Sequence, residues 1–213
     1  MIGLPKSTEF NKRVPKQAFY EHLNINASLK RSFIDQIKTI IWSNKIAPTT
    51  MNLAAGQEVA EIEVFSIHLT GPELNEAVLK QIDREIPYHI LFLLEYEEKY
   101  QAWIGYKEEA GSGKAAFKVD RYFHTEWLQE EELPVHLEGL NMDEVYENFV
   151  RQVAGYELQE RPQESLKEAV IKAEEREQIE KEIQSLRKQL VHEKQFNKKV
   201  QINNMIKKLS EKF

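Results

Sequence analysis

Two carboxylates separated by one residue, Glu61 and Glu63, have the spacing that does chemistry in metal-dependent nucleases. On an extended strand they share a face, and two carboxylates on one face can hold Mg²⁺ against a phosphodiester. Such nucleases also place a lysine two residues further along the strand, where this chain has Phe65. Lys45 or Lys107 would have to replace it from a neighbouring strand. Glutamates alternating along a solvent face produce the same pattern without any activity, and that reading carries more weight. The expectation is therefore no catalytic residue, with Glu61, Glu63 and Lys45 as the alternative.

Other reactive side chains are scattered. His89 and His124 have no second ligand at helix or strand spacing, so each reads as a histidine hydrogen-bonded to the backbone rather than as a metal ligand. Gly111-Ser112-Gly113-Lys114 lacks the first glycine spacing of a phosphate loop and reads as a turn. With no cysteine, disulfides, thiolate nucleophiles and cysteine-ligated zinc are excluded. No metal and no cofactor are indicated. Trp42, Trp103, Tyr106, Tyr122, Phe123 and Trp127 could stack bases, although aromatics on strands are more often core. Lys12, Arg13, Lys45, Lys107, Lys118 and Arg121 are the nucleic-acid-binding candidates.

These residues need a scaffold, and its centre is the stretch from Tyr88 to Tyr106. His89 to Leu94 is an apolar run that reads as a strand covered on both faces, and Tyr100, Ala102, Ile104 and Tyr106 alternate beyond a charged corner at Glu95 to Lys99. Further strands are expected at Thr39 to Ile46, Glu58 to Leu69, Phe117 to His124 and, at an edge, Val135 to Leu137. The Glu58 to Leu69 stretch changes phase, which predicts a bulge near Val64 and Phe65 or burial on both faces at its far end. Helices are expected from Pro15 to about His22, from a Ser28 cap onward, between Gly71-Pro72 and Pro87, and from an Asn141 capping box to Gly155. The fold class is thus α/β in the α+β sense: a mixed, largely antiparallel sheet of about five strands with flanking helices.

Residues 1–155 form this α/β domain, 156–163 a linker and 164–213 a helical tail without Gly or Pro. A single helix of that length would span roughly 70 Å and would need a partner. Leu166, Val170, Ile179, Ile183, Leu186 and Leu190 make a seam near the coiled-coil period, and Ile202, Ile206 and Leu209 continue in another phase. A long rod and a hairpin folded near Lys194 to Asn197 both satisfy this pattern. The tail is acidic first, with 4 basic and 7 acidic side chains in 164–182, and basic afterwards, with 8 and 2 in 183–213. An antiparallel pairing, within one chain or between two copies, would match these charges.

The net charge of -6 is distributed unevenly: residues 1–57 carry 8 basic and 3 acidic side chains, residues 58–163 carry 9 and 23. The acidic middle repels phosphate, so any nucleic-acid contact is expected at the ends. The first residues lack the apolar core of a signal peptide and no run is long enough for a membrane span, which places the chain in the cytoplasm with no membrane contact.

Several strings are familiar: Leu4-Pro5-Lys6-Ser7-Thr8, the stretch from Asn44 to Leu53, Ile86-Pro87-Tyr88-His89-Ile90-Leu91-Phe92, Tyr122-Phe123-His124-Thr125-Glu126-Trp127 and the stretch from Glu193 to Val200. Together they resemble a bacterial family known as a domain of unknown function and encoded beside helicases and DNA methyltransferases of restriction-like and antiphage defence operons. The resemblance assigns no active residue. It implies an accessory or adaptor subunit whose partner is a helicase or DNA methyltransferase of the same system, with the tail as connector. A divergent nuclease and a tail-mediated homodimer are the rivals.

Overall fold

The computed structural model describes residues 3–21, 25–109, 117–158 and 164–212, with the main chain alone at 108, 109, 117 and 118. Two compact units divide it, Met1–Gly155 and Tyr156–Phe213. Among the described residues no helix is long and apolar enough to cross a membrane.

The first unit is built on six strands: β1 (Glu9–Val14), β2 (Ile37–Ile46), β3 (Ile62–Leu69), β4 (His89–Tyr96), β5 (Lys99–Glu109) and β6 (Phe117–His124). Their order in space is their order in the chain. Every neighbouring pair is antiparallel except β3 and β4, which run parallel because the helix α3 (Glu76–Glu85) connects them. The sheet has six strands rather than about five. The extra strand, β1, escapes a periodicity search because Asn11 sits at φ +48° and breaks the alternation. Its mostly exposed, charged side chains suit an edge strand that pairs on one side only.

Local competition for hydrogen bonds corrects several expected boundaries. The helix expected from Pro15 is a single 3-10 turn, Lys16–Phe19, and His22 lies outside the described residues. Helix α1 (Ala27–Gln36) is capped by Asn26, whose Oδ1 accepts the Leu29 N–H at 2.8 Å, not by Ser28. Within the loop after β2, Pro48–Met51 forms one short turn, α2. Strand β3 begins at Ile62 rather than Glu58 because the Asp143 carboxylate takes the backbone N–H groups of Gln57, Glu58 and Val59. The β2–β3 ladder shifts register twice, between Ile37 and Thr39 and at Ser43, which lies opposite Val64 and Phe65, and β3 is buried along most of both faces. Val135 to Leu137 is not a strand; the Gln152 side chain satisfies both backbone groups of His136 instead.

Elsewhere sequence and fold agree. The β4–β5 turn places Glu97 and Glu98 at φ +47° and +60°, the two left-handed residues of a tight hairpin. Helix α4 (Met142–Ala154) starts on the Asn141 cap and stops at Gly155, which adopts φ +52°. The turn at Gly111 to Lys114 falls outside the described residues.

Alternating side chains cover the sheet on both faces. Phe65, Ile67, Ile90, Phe92 and Leu94 pack with Val78, Leu79 and Ile82 of α3 and Phe33 of α1. Side chains of opposite parity, Val64, Leu91, Ile104 and Phe123, are equally buried, and α4 lies against β5 and β6. Burying each such side chain contributes about 1.5–3 kcal/mol, so this double-sided core fixes the strand ends where the polar groups gather.

In the second unit α5 (Leu166–His192) and α6 (Phe196–Ser210) pack on one another as a hairpin. The break is local: Glu193 Oε1 accepts the N–H groups of Lys194 and Gln195 at 2.7 and 2.8 Å, ending one helix and freeing the next to change phase. Along the hairpin Leu166, Val170 and Ile183 are buried, whereas Ile179, Leu186, Leu190, Ile202, Ile206 and Leu209 are half-buried.

Candidate functional site

The sheet brings Lys45, Glu61 and Glu63 together. Lys45 on β2 stands opposite Glu63 on β3. Its Nζ lies 2.6 Å from Glu61 Oε2, just before the strand begins. The second carboxylate is held separately, with the Trp42 indole donating to Glu63 Oε2 at 2.7 Å. Glu63 is only 1 % exposed. Burial, more than any other cause, pushes its carboxyl up to about 7; the Glu61 charge adds to this, the Trp42 N–H and the Lys45 charge oppose it. Lys45 moves up from its ordinary value because of its hydrogen bond to Glu61, against the opposing effect of burial.

This cluster can hold a proton near neutral pH, but it suits a divalent ion less well. The Lys45 ammonium already neutralises Glu61, and protonation relieves Glu63. Among the described residues no group of three or more His, Asp or Glu side chains is arranged to hold a metal.

Lys107 does not join the acidic pair. It forms a buried ion pair with Asp83 of α3, Nζ to Oδ1 2.7 Å, with the two side chains 1 % and 0 % exposed. Its Nζ also donates to the Tyr88 carbonyl at 2.5 Å, and the Tyr122 hydroxyl donates to Asp83 Oδ2. Burial pushes the Asp83 carboxyl up while Lys107 and Tyr122 pull it down. Burial and the adjacent Asp83 push the Tyr122 phenol up. As a nucleic-acid contact Lys107 is therefore corrected: it is spent inside the fold.

On the opposite face His89 packs against Tyr146 with ring centroids 4.2 Å apart. Burial and then the Lys107 charge push its imidazole down to about 3, so it is neutral at physiological pH. Tyr146 donates to the Gly105 carbonyl at 2.7 Å and accepts the Lys107 N–H at 3.0 Å. Behind it, burial pushes the Asp143 carboxyl up, and the three amide N–H groups it accepts outweigh that and hold it below the usual range. Gly56 is required here, since a Cβ would stand 2.3 Å from Asp143 Oδ1. His124 stacks on Trp103 at 4.3 Å, with its Nδ1 3.0 Å from the Thr125 carbonyl oxygen and 3.3 Å from the Gln101 side-chain nitrogen.

The remaining candidates do not converge. Lys12 lies with its Nζ 4.2 Å over the Phe10 ring, and Arg13 is exposed on edge strand β1. Arg121 stacks 5.0 Å over Phe123. Lys118 lies on β6, its side chain outside the described residues. The aromatics do not form one exposed platform: Tyr106, Tyr122 and Phe123 are buried, and Trp42 stacks on Phe65 at 5.9 Å. Sequence reasoning missed Asp83, Tyr122 and Asp143 as polar anchors. A signal existed for Asp83, which falls four residues after buried Leu79 on the apolar face of its helix.

The family model of a domain of unknown function, DUF4391, matches residues 2–213, and the chain belongs to that family. No curated protein and no solved structure matches it.

Proposed function

We propose that this member of the DUF4391 family is a cytoplasmic, non-catalytic accessory subunit of a bacterial DNA-processing system of the restriction-like or antiphage defence kind. It grips a helicase or DNA methyltransferase of that system through its helical hairpin. One observation carries the reading: α6 has no buried residue, and Val191 and Phe196 at the hairpin tip are 76 % and 77 % exposed, with Val200 and Met205 also exposed. Apolar side chains held outward beside Lys188, Lys194, Lys198 and Lys199 suit an acidic protein surface with an apolar pocket. The association with DNA enzymes rests on the resemblance of the quoted strings.

The nuclease alternative, using Glu61, Glu63 and Lys45, has weaker support, because each carboxylate already has a partner that lowers its demand for a metal. Affinity capture of the full chain from its native host, with partners identified by mass, tests the adaptor reading. Wild type is expected to recover a helicase or a DNA methyltransferase, and Val191→Glu/Phe196→Glu to lose it. Recovery of neither enzyme, or equal recovery by the variant, overturns the reading. A chain mass that doubles in solution and halves in the variant would replace it with the homodimer.

A further inference from the structure

We propose that the cleft beside the edge strand of the first unit is a phosphate-ester site that takes the backbone of a nucleic-acid strand. The cleft measures about 340 Å³ and is lined by Arg13, Lys16, Lys38 and Thr39 over an apolar floor of Val14 and Ile40, with no acidic side chain in its wall. Arg13 and Lys38 are both exposed, and neither side chain has a hydrogen bond or ion pair among the described residues. Among the described residues two cations without a side-chain partner therefore flank one cleft, and no carboxylate lines it.

Lys16 supplies the third cation and is fixed in advance. Its Nζ donates to the carbonyls of Ile34 at 2.9 Å and Ile37 at 2.6 Å, which leaves one N–H for a ligand and, among the described residues, holds the charge without a counter-ion. A guanidinium fork beside two ammonium groups matches the oxygens of a phosphate, with the fork fixing orientation and the ammoniums adding charge. The positive strip continues along β1 to Lys12, which shares a side of the strand with Val14 and pairs with Trp42 in register as Val14 does with Ile40. An extended polyanion can follow such an edge, and the acidic excess of residues 58–163 confines it there.

This site is built from residues of the first unit and does not rest on the adaptor reading; Arg13→Ala/Lys38→Ala leaves partner capture unchanged. The test is fluorescence anisotropy of the full chain with a labelled single strand of about 12 thymidylates and with a duplex of that length, at about 50 mM salt, where phosphate contacts are strongest. Inorganic phosphate and adenosine 5′-monophosphate serve as competitors. Arg13→Ala/Lys38→Ala is expected to weaken the single strand at least about tenfold and to flatten the plot of log K against log salt by about 1.4, near 0.7 for each lost phosphate contact. Lys207→Ala/Lys208→Ala, on the hairpin, is the control and keeps wild-type affinity. Binding of the monophosphate but not of the strand, lost in the same double variant, keeps the phosphate site and assigns it to a free nucleotide. Absence of binding by every phosphate compound overturns the proposal, as does equal affinity in wild type and edge variant or an equal loss in the hairpin control. The Arg13 and Lys38 side chains are exposed, so unchanged thermal melting of the variant separates lost binding from lost folding.

Discussion

Replacing Glu63 by Gln isolates the cost of one buried carboxylate. The native fold raises this carboxyl from 4.5 to about 7 while the unfolded chain keeps the ordinary value. Between those two values the native state holds a proton that the unfolded chain has released, so stability falls as pH rises through this window and levels off above the upper value. At about 1.4 kcal/mol for each pH unit, the full penalty above neutrality is about 3 kcal/mol. Glutamine keeps the acceptor for the Trp42 indole and carries no charge to desolvate. The variant should match wild type near about pH 4 and exceed it by about 3 kcal/mol near about pH 8. Urea unfolding of both proteins at stepped pH measures the difference. The opposite pH trend of Asp143, whose depressed value stabilises the fold above the ordinary carboxylate range, is common to both proteins and cancels. A difference that stays within about 0.5 kcal/mol across that range, or that grows toward acid, would refute the buried-carboxylate reasoning.

Lys107→Met strands Asp83 in the interior and leaves the Tyr88 carbonyl without its donor, so it should cost about 3–5 kcal/mol in urea unfolding. Adding Asp83→Leu should recover most of that loss; a double variant as unstable as the single one would show that packing, not charge, is at stake. Glu97→Asn/Glu98→Gly gives the left-handed β4–β5 turn the residues it favours and should stabilise the protein by about 1–2 kcal/mol, read as a rise in melting temperature. No rise would mean that the strands impose the turn at no cost.

The elements with strong local signals were legible from the residues. The β4–β5 hairpin, strand β6, helix α4 with its Asn141 cap and Gly155 stop, and the helical tail all follow from period, capping and turn chemistry. What failed was decided by distant groups. Asp143, more than 80 positions away, takes the N–H groups that would have extended β3 toward Glu58, and Gln152 does the same for His136. The pattern around Glu61 and Glu63 was visible, and so was Lys45 as a spatial partner. Their use as an ion pair and a protonated acid was not, because burial and pairing are properties of the packed sheet.

The order of residues by itself determined the β4–β5 hairpin, β6, α4 and the helical tail, because hydrophobic period, caps and turns act over four or five positions. Tertiary structure alone decided that Lys107 meets Asp83 and that Arg13 and Lys38 flank one cleft. Those encounters depend on sheet register and on the placement of α3. Charge interactions fall off with distance through space, and the separation of two residues along the chain carries little of that information.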